Sequence, residues 1–118
     1  MSQTTDPKQS IRGGTTYLNR IWEKFKSIPD SIQRTKFTMA SYNCGLYHVK
    51  DAQTLAKKRG LNPKKWDDNV ENMILELSHA KNYRQPDIKY GYVRGIEPYN
   101  YVNQIFERYA HYQQFIDI

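Results

Sequence analysis

Apolar residues recur along this chain at helical spacing, not in alternation. Ile11, Gly14, Leu18, Ile21, Trp22 and Phe25 recur at 3.6-residue spacing, the period of one helix face. Asp6-Pro7 precedes them with a capping carboxylate and a proline at the first helical position. A helix is therefore predicted over about 7–26. Ile28-Pro29-Asp30-Ser31 breaks it, and a second helix follows over 31–42 with Phe37 and Ala40 facing inward. Gly45 ends it as glycine commonly ends helices. Val49, Ala52 and Ala56 mark one face of a third helix, 48–59, stopped by Gly60 and the Asn62-Pro63 turn. Val70, Met73, Ile74 and Leu77 mark a fourth, 66–77. Residues 78–97 read as irregular, with Pro86, Gly91 and Gly95 among Tyr83, Tyr90 and Tyr92. A last helix, 98–115, carries Val102, Ile105, Phe106 and Tyr109. No strand pattern, internal repeat or low-complexity tract interrupts this reading. The expected fold class is all-α, with five helices and one tyrosine-rich loop. Residues 1–5 read as a disordered start and 6–118 as the folded unit.

Length and composition narrow the picture. A chain of 118 residues is one domain with a modest core. Ten tyrosines suit half-buried surfaces, since each ring joins an apolar face to a polar tip. A formal net charge of +6 favours polyanionic partners: nucleic acid, a membrane surface or an acidic cell-wall polymer. Charge alone does not choose among them. The single cysteine, Cys44, excludes a disulfide within the chain and a cysteine-rich zinc site. His48, His79 and His111 have no metal spacing, so no metal or cofactor is expected. No apolar run reaches the length of a membrane span. Met1-Ser2-Gln3-Thr4-Thr5 is polar and not a signal peptide, so targeting or membrane attachment would reside outside this chain.

Two stretches carry candidate chemistry. Ser41-Tyr42-Asn43-Cys44-Gly45 closes the second helix. Glycine alone would suffice to end it, and Tyr42 packing there is the plain account. The alternative places Tyr42 and Asn43 at the mouth of a cleft, where the Asn43 amide offers both a donor and an acceptor to an acetamido or hydroxyl group. The second stretch, residues 90–102, puts Tyr90, Tyr92, Tyr99 and Tyr101 around Glu97. A carboxylate at a helix start favours the dipole, but aromatic faces beside hydrogen-bonding groups also hold a sugar or a base. Lys57-Lys58-Arg59 and Lys64-Lys65 read as a solvated helix end. Cys44 and His48 are four apart, a spacing open to nucleophile chemistry, yet no orienting third residue accompanies them.

Tyr42-Asn43-Cys44-Gly45, His48 to Ala52, Trp66 with Asn69-Val70, Tyr90 to Gly95, Glu97 and Tyr101-Val102, taken in order, resemble the second half of a lytic transglycosylase catalytic domain, in particular its membrane-bound branch. Ile11-Arg12-Gly13-Gly14 and Tyr17-Leu18 fit the same pattern. The resemblance runs from about 6 to about 112.

The resemblance implies a goose-lysozyme-like helical fold and peptidoglycan as substrate. The family cleaves between N-acetylmuramic acid and N-acetylglucosamine without water, leaving a 1,6-anhydro ring. One glutamic acid protonates the leaving oxygen and then acts as base, which requires a carboxyl of raised pKa and no second carboxylate nucleophile. That glutamate belongs to a Glu-Ser pattern upstream of the matching region. Glu23, Glu71, Glu76, Glu97 and Glu107 do not sit in that context, so no catalytic general acid is assigned here. By resemblance, Glu97 and Tyr101 support the catalytic carboxyl, and Tyr42, Asn43, Gly45, Tyr92, Glu97 and Tyr101 contact substrate. Ser41 replaces a usual alanine, and Cys44 a small or apolar residue.

The expectation is a partial transglycosylase domain, inactive alone, whose full-length form belongs to the bacterial periplasm or outer membrane. Its expected partners are peptidoglycan glycan strands and a second copy, through a face that the preceding helices would cover. No nucleic acid is expected. The alternatives are a non-catalytic glycan-binding or interaction protein and, behind it, a basic helical nucleic-acid binder.

Overall fold

Helix α1, Pro7–Lys24, opens the computed structural model, which describes residues 7–116 and the side chains of 16–111. The expected disordered start at 1–5, the Asp6 cap and the inward faces of Ile11 and Gly14 lie outside the described residues. Ile21 and Phe25 turn inward and are buried. Tight turns bonding Phe25 N–H to the Trp22 carbonyl and Ile28 N–H to the Phe25 carbonyl then reverse the chain.

Helix α2, Ser31–Cys44, starts on Asp30, whose carboxylate accepts the Ile32 and Gln33 N–H groups at 2.8 and 3.0 Å. That satisfies two of the donors a helix start leaves open. Phe37 and Ala40 are fully buried, as their spacing predicts. Helix α3, Leu46–Lys58, follows at once. It begins two residues earlier than the periodicity suggests, because Gly45 alone makes the break. Val49, Ala52 and Ala56 form its buried face.

The predicted helix from Trp66 does not begin there. Trp66–Val70 is a wide, kinked turn in which Asp67 is extended and Asp68 has φ +60°. Helix α4 is only Glu71–Glu76. The cause is a hub that periodicity does not reveal. The Gln33 side-chain carbonyl accepts the Trp66 and Asp67 N–H groups, and its amide donates to the Asp67 carboxylate. Lys36 Nζ meets that carboxylate at 2.8 Å. Burial alone would push the Asp67 carboxyl up, but hydrogen bonds from Lys36 and Gln33, with the charges of Lys36 and Lys65, outweigh it and hold the group below its usual range. The turn is thus tied to α2, with the Trp66 ring edge-on to Phe37 at 5.5 Å. Periodicity still places Val70, Ile74 and Leu77 in the core.

Residues 78–97 are not wholly irregular. A short helix α5, Ala80–Tyr83, lies within them. The buried Asn82 accepts from Arg59 at 2.6 Å and donates to the Glu76 backbone and carboxylate, joining α3, α4 and α5. Helix α6, Ile96–Ile116, packs on α2 and α4. Val102 is buried, but Tyr109 is 59% exposed, so the inward face expected for α6 stops before it. The described residues contain six helices and no strand. The all-α fold stands, with one helix more than the sequence predicts. Its core joins Phe25, Phe37, Val49, Leu55, Trp66 and Ile74, each worth about 1.5–3 kcal/mol or more when buried.

Candidate functional site

The break at Gly45 sets the first part of the site. Gly45 has φ +107°, a left-handed conformation that strains any residue with a Cβ. Its N–H donates to the Ser41 carbonyl at 2.8 Å, so α2 stays closed up to the residue before the turn. Tyr42 and Asn43 occupy that last exposed turn. The Tyr42 ring is 49% exposed and is not simply packed away. Tyr17 of α1 lies against it, centroids 5.7 Å apart. Tyr17 is a residue that sequence reasoning missed here. Its place in the Tyr17-Leu18 pair was the available signal. Ser41 sits beneath, fully buried, its hydroxyl without a hydrogen-bond partner among the described residues.

Cys44 does not form a nucleophile. Its Sγ faces the Gly45 carbonyl at 3.7 Å, and burial pushes the thiol up to about 12. That shift favours the protonated thiol, whereas nucleophilic attack needs the thiolate.

The second part begins where the tyrosine-rich loop enters α6. Asp51 on α3 holds this loop. Its buried carboxylate accepts the Lys89 and Tyr90 N–H groups at 3.0 and 2.8 Å. Tyr90 then stacks on Tyr47 of α3 with centroids 4.8 Å apart, and Tyr92 meets Tyr83 edge-on at 5.8 Å. Tyr92 itself is 54% exposed. Neither Asp51 nor Tyr47 emerges as a candidate from sequence. Only the structure shows which distant amides and ring they meet.

Gly95 brings α6 against the end of α4. A Cβ at this position would fall 1.9 Å from the Ile74 carbonyl oxygen and 2.5 Å from its carbon. Glu97 follows in the first turn of α6. Its exposed carboxylate accepts from Arg94 at 3.2 Å. Tyr101 is one turn further and half-buried. Residues four apart share a helix face. The structure shows no direct hydrogen bond or ring contact, among the described residues, from Tyr42 and Asn43 to Glu97 and Tyr101. The link between the two groups is the packing of α6 on α2, fixed at one point by Lys36 Nζ lying 5.0 Å from the Phe106 ring. Among the described residues no cluster has the composition of a metal site.

Comparison with known proteins covers both parts. Residues 1–65 match the model of the family described as "Transglycosylase SLT domain". That match includes α1, α2, α3 and the Tyr42–Gly45 break. The chain is 48% identical over 112 residues to a membrane-bound lytic murein transglycosylase F of Pseudomonas putida, covering 92% of this chain and 22% of that protein. It is 49% identical over 105 residues to the protein of that name from Shewanella halifaxensis, covering 88% of this chain and 21% of the relative. The chain thus spans about a fifth of the length of these relatives, and the likeness continues well past the family-model match. With a helical fold and the Tyr-Asn break falling inside the matched region, the chain belongs to the transglycosylase SLT domain family.

Proposed function

We propose that this chain forms one wall of the glycan cleft of a peptidoglycan lytic transglycosylase. The observation that carries the reading is the exposed Tyr42-Asn43 turn, held open by a left-handed Gly45 within the family match. Its aromatic face and amide suit a sugar ring with an acetamido substituent. Glu97 and Tyr101 complete the wall. Counted along the helices, Tyr42 and Asn43 lie about two turns from Lys36 on α2, and Tyr101 and Glu97 about one and a half and two and a half turns from Phe106 on α6.

In this reading the general acid comes from outside the 118 residues. It donates its proton to the glycosidic oxygen as the bond to the muramic acid anomeric carbon breaks. It then accepts the proton of the muramyl 6-hydroxyl as that oxygen closes on the same carbon. No water is consumed. Tyr101 and Glu97 act by positioning, since a hydroxyl or carboxylate beside the acid fixes its orientation and protonation. The site of action is the bacterial envelope.

The isolated chain is expected to bind peptidoglycan sacculi without cleaving them. Chromatography of a digest should show no 1,6-anhydromuropeptides above a protein-free control. Accumulating anhydro products would place the general acid within this chain and overturn the division of labour proposed here.

A further inference from the structure

Part of the positive charge of this protein gathers on one face. Arg34, Lys36, Lys58, Arg59 and Arg94 each meet a carboxylate. Lys24, Lys26, Lys50, Lys57, Lys64 and Lys65 have no ion pair among those found for the described residues. These six gather around three adjoining hollows, whereas Arg20, Lys81, Arg84, Lys89 and Arg108, also outside those ion pairs, line none of the three. One hollow is lined by Lys24 and Lys26 with Ser27. The next, about 320 Å³, takes Ser27 together with Lys50, Thr54, Lys57 and Lys64. The third takes Lys64 with Lys65. Ser27 and Lys64 are the shared walls.

Two acids also line these hollows, Glu23 the first and Asp30 the third. Glu23 faces Arg34 at 3.8 Å, and Asp30 caps α2. All of these lysines except Lys50 are exposed. Lys50 is half-buried, its ammonium donating to the Lys24 carbonyl at 3.1 Å and lying 4.6 Å from the Phe25 ring. Burial and the charge of Lys24 lower its pKa, which agrees with crowding of like charges at the rim.

Position matters as much as charge. Tyr47, Lys50, Thr54 and Lys57 follow one another at i, i+3, i+7 and i+10 along α3, one stripe of the helix. The stripe starts two residues after Gly45, where the Tyr42-Asn43 wall ends.

We infer that the lysine face binds the carboxylate-bearing peptide substituents of the same glycan polymer, and so grips the strand beyond the cleft. The inference rests on the reading given under Proposed function. Lysines spread over three hollows fit flexible, separated carboxylates, since each ammonium is a mobile point charge with no fixed fork. Nucleic acid fits less well, because the residues lining the hollows include no arginine for bidentate phosphate contact and no aromatic ring for base stacking.

The test compares the whole chain with its Lys57→Glu/Lys64→Glu form, a pair of exposed side chains outside the core, and with Lys57→Gln/Lys64→Gln. The probes are soluble peptidoglycan strands bearing peptide stems, the same strands stripped by an amidase, anionic phospholipid vesicles and duplex DNA. The unmodified chain should bind the stem-bearing strands at least about tenfold more tightly, with the advantage fading as salt rises. The double Glu form should lose that advantage and keep its binding to stripped strands. The Gln form should fall between them. Equal binding of stem-bearing strands by all three forms would overturn the proposal. So would a loss confined to anionic phospholipid vesicles or to DNA, which would give the face to another polyanion. If stripped strands do not bind but the stem-dependent difference persists, the lysine assignment stands and the cleft reading fails.

Discussion

Gly95→Ala is expected to lower the melting temperature by roughly 10 °C or more. A Cβ would meet backbone atoms of Ile74 and Leu75, not the end of a flexible side chain. No rotamer relieves such a contact, so α4 or α6 must move. Overpacking of this kind costs about 1–3 kcal/mol and more where backbone must shift. At about 2.1 cal/mol/K per residue, a domain of this size loses roughly 4 °C per kcal/mol. Gly60 gives the contrast. It has φ +76°, but a Cβ added there would meet nothing within 4 Å, so Gly60→Ala should cost only the left-handed penalty of about 1–2 kcal/mol. Thermal unfolding of the two variants side by side checks the ranking. A Gly95→Ala protein that melts within about 2 °C of the unmodified chain would mean that α6 is not seated on α4 by this contact.

Asp51→Ala should release the tyrosine-rich loop. The substitution removes the acceptor of both the Lys89 and Tyr90 N–H groups. Each orphaned, partly buried donor costs about 1–3 kcal/mol, so the expected loss is about 2–6 kcal/mol. The effect should also be local. Amide exchange at Lys89 and Tyr90 should accelerate more than exchange at core amides of α3 such as Leu55, because local opening needs less than global unfolding. Asp51→Asn should be intermediate. Its single carbonyl oxygen can accept one of the two N–H groups while its amide confronts the other. Unchanged protection at Lys89 and Tyr90 in the Ala variant would remove Asp51 from its role in holding the loop.

What the sequence reveals follows from range. The inward faces of α2 and α3 depend on spacing within one helix, and Phe37, Ala40, Val49, Ala52 and Ala56 are buried as that spacing requires. The Gly45 break is equally local, a matter of one residue's backbone. The Trp66–Val70 turn was not legible, because it is dictated by Gln33 and Lys36 about thirty residues earlier. A helical apolar pattern cannot register that competition. The same applies to Asp51, whose partners are 38 and 39 residues away, and to the Tyr17–Tyr42 and Tyr47–Tyr90 pairs. At the candidate site, the residue types at Tyr42-Asn43 and Glu97-Tyr101 could be read from pattern and resemblance. The supports beneath them, Asp51 and the seat of Gly95 on α4, appear only once the helices are packed. The lysine face shows another limit. Lys57, Lys64 and Lys65 look like a solvated run in sequence, and their grouping with Lys24, Lys26 and Lys50 is a product of the fold.

The central claim is that Tyr42 and Asn43 share one glycan-binding wall with Glu97 and Tyr101, some fifty residues later in the chain. The direct measurement is a titration of the isotope-labelled chain with a peptide-free oligomer of alternating N-acetylglucosamine and N-acetylmuramic acid, followed by the amide shifts and the tyrosine ring signals. Both groups should respond together along one binding curve, with Tyr17 following Tyr42 and the α3 lysines left unmoved. Shifts confined to one group, or saturating at different oligomer concentrations in the two, would contradict a single wall.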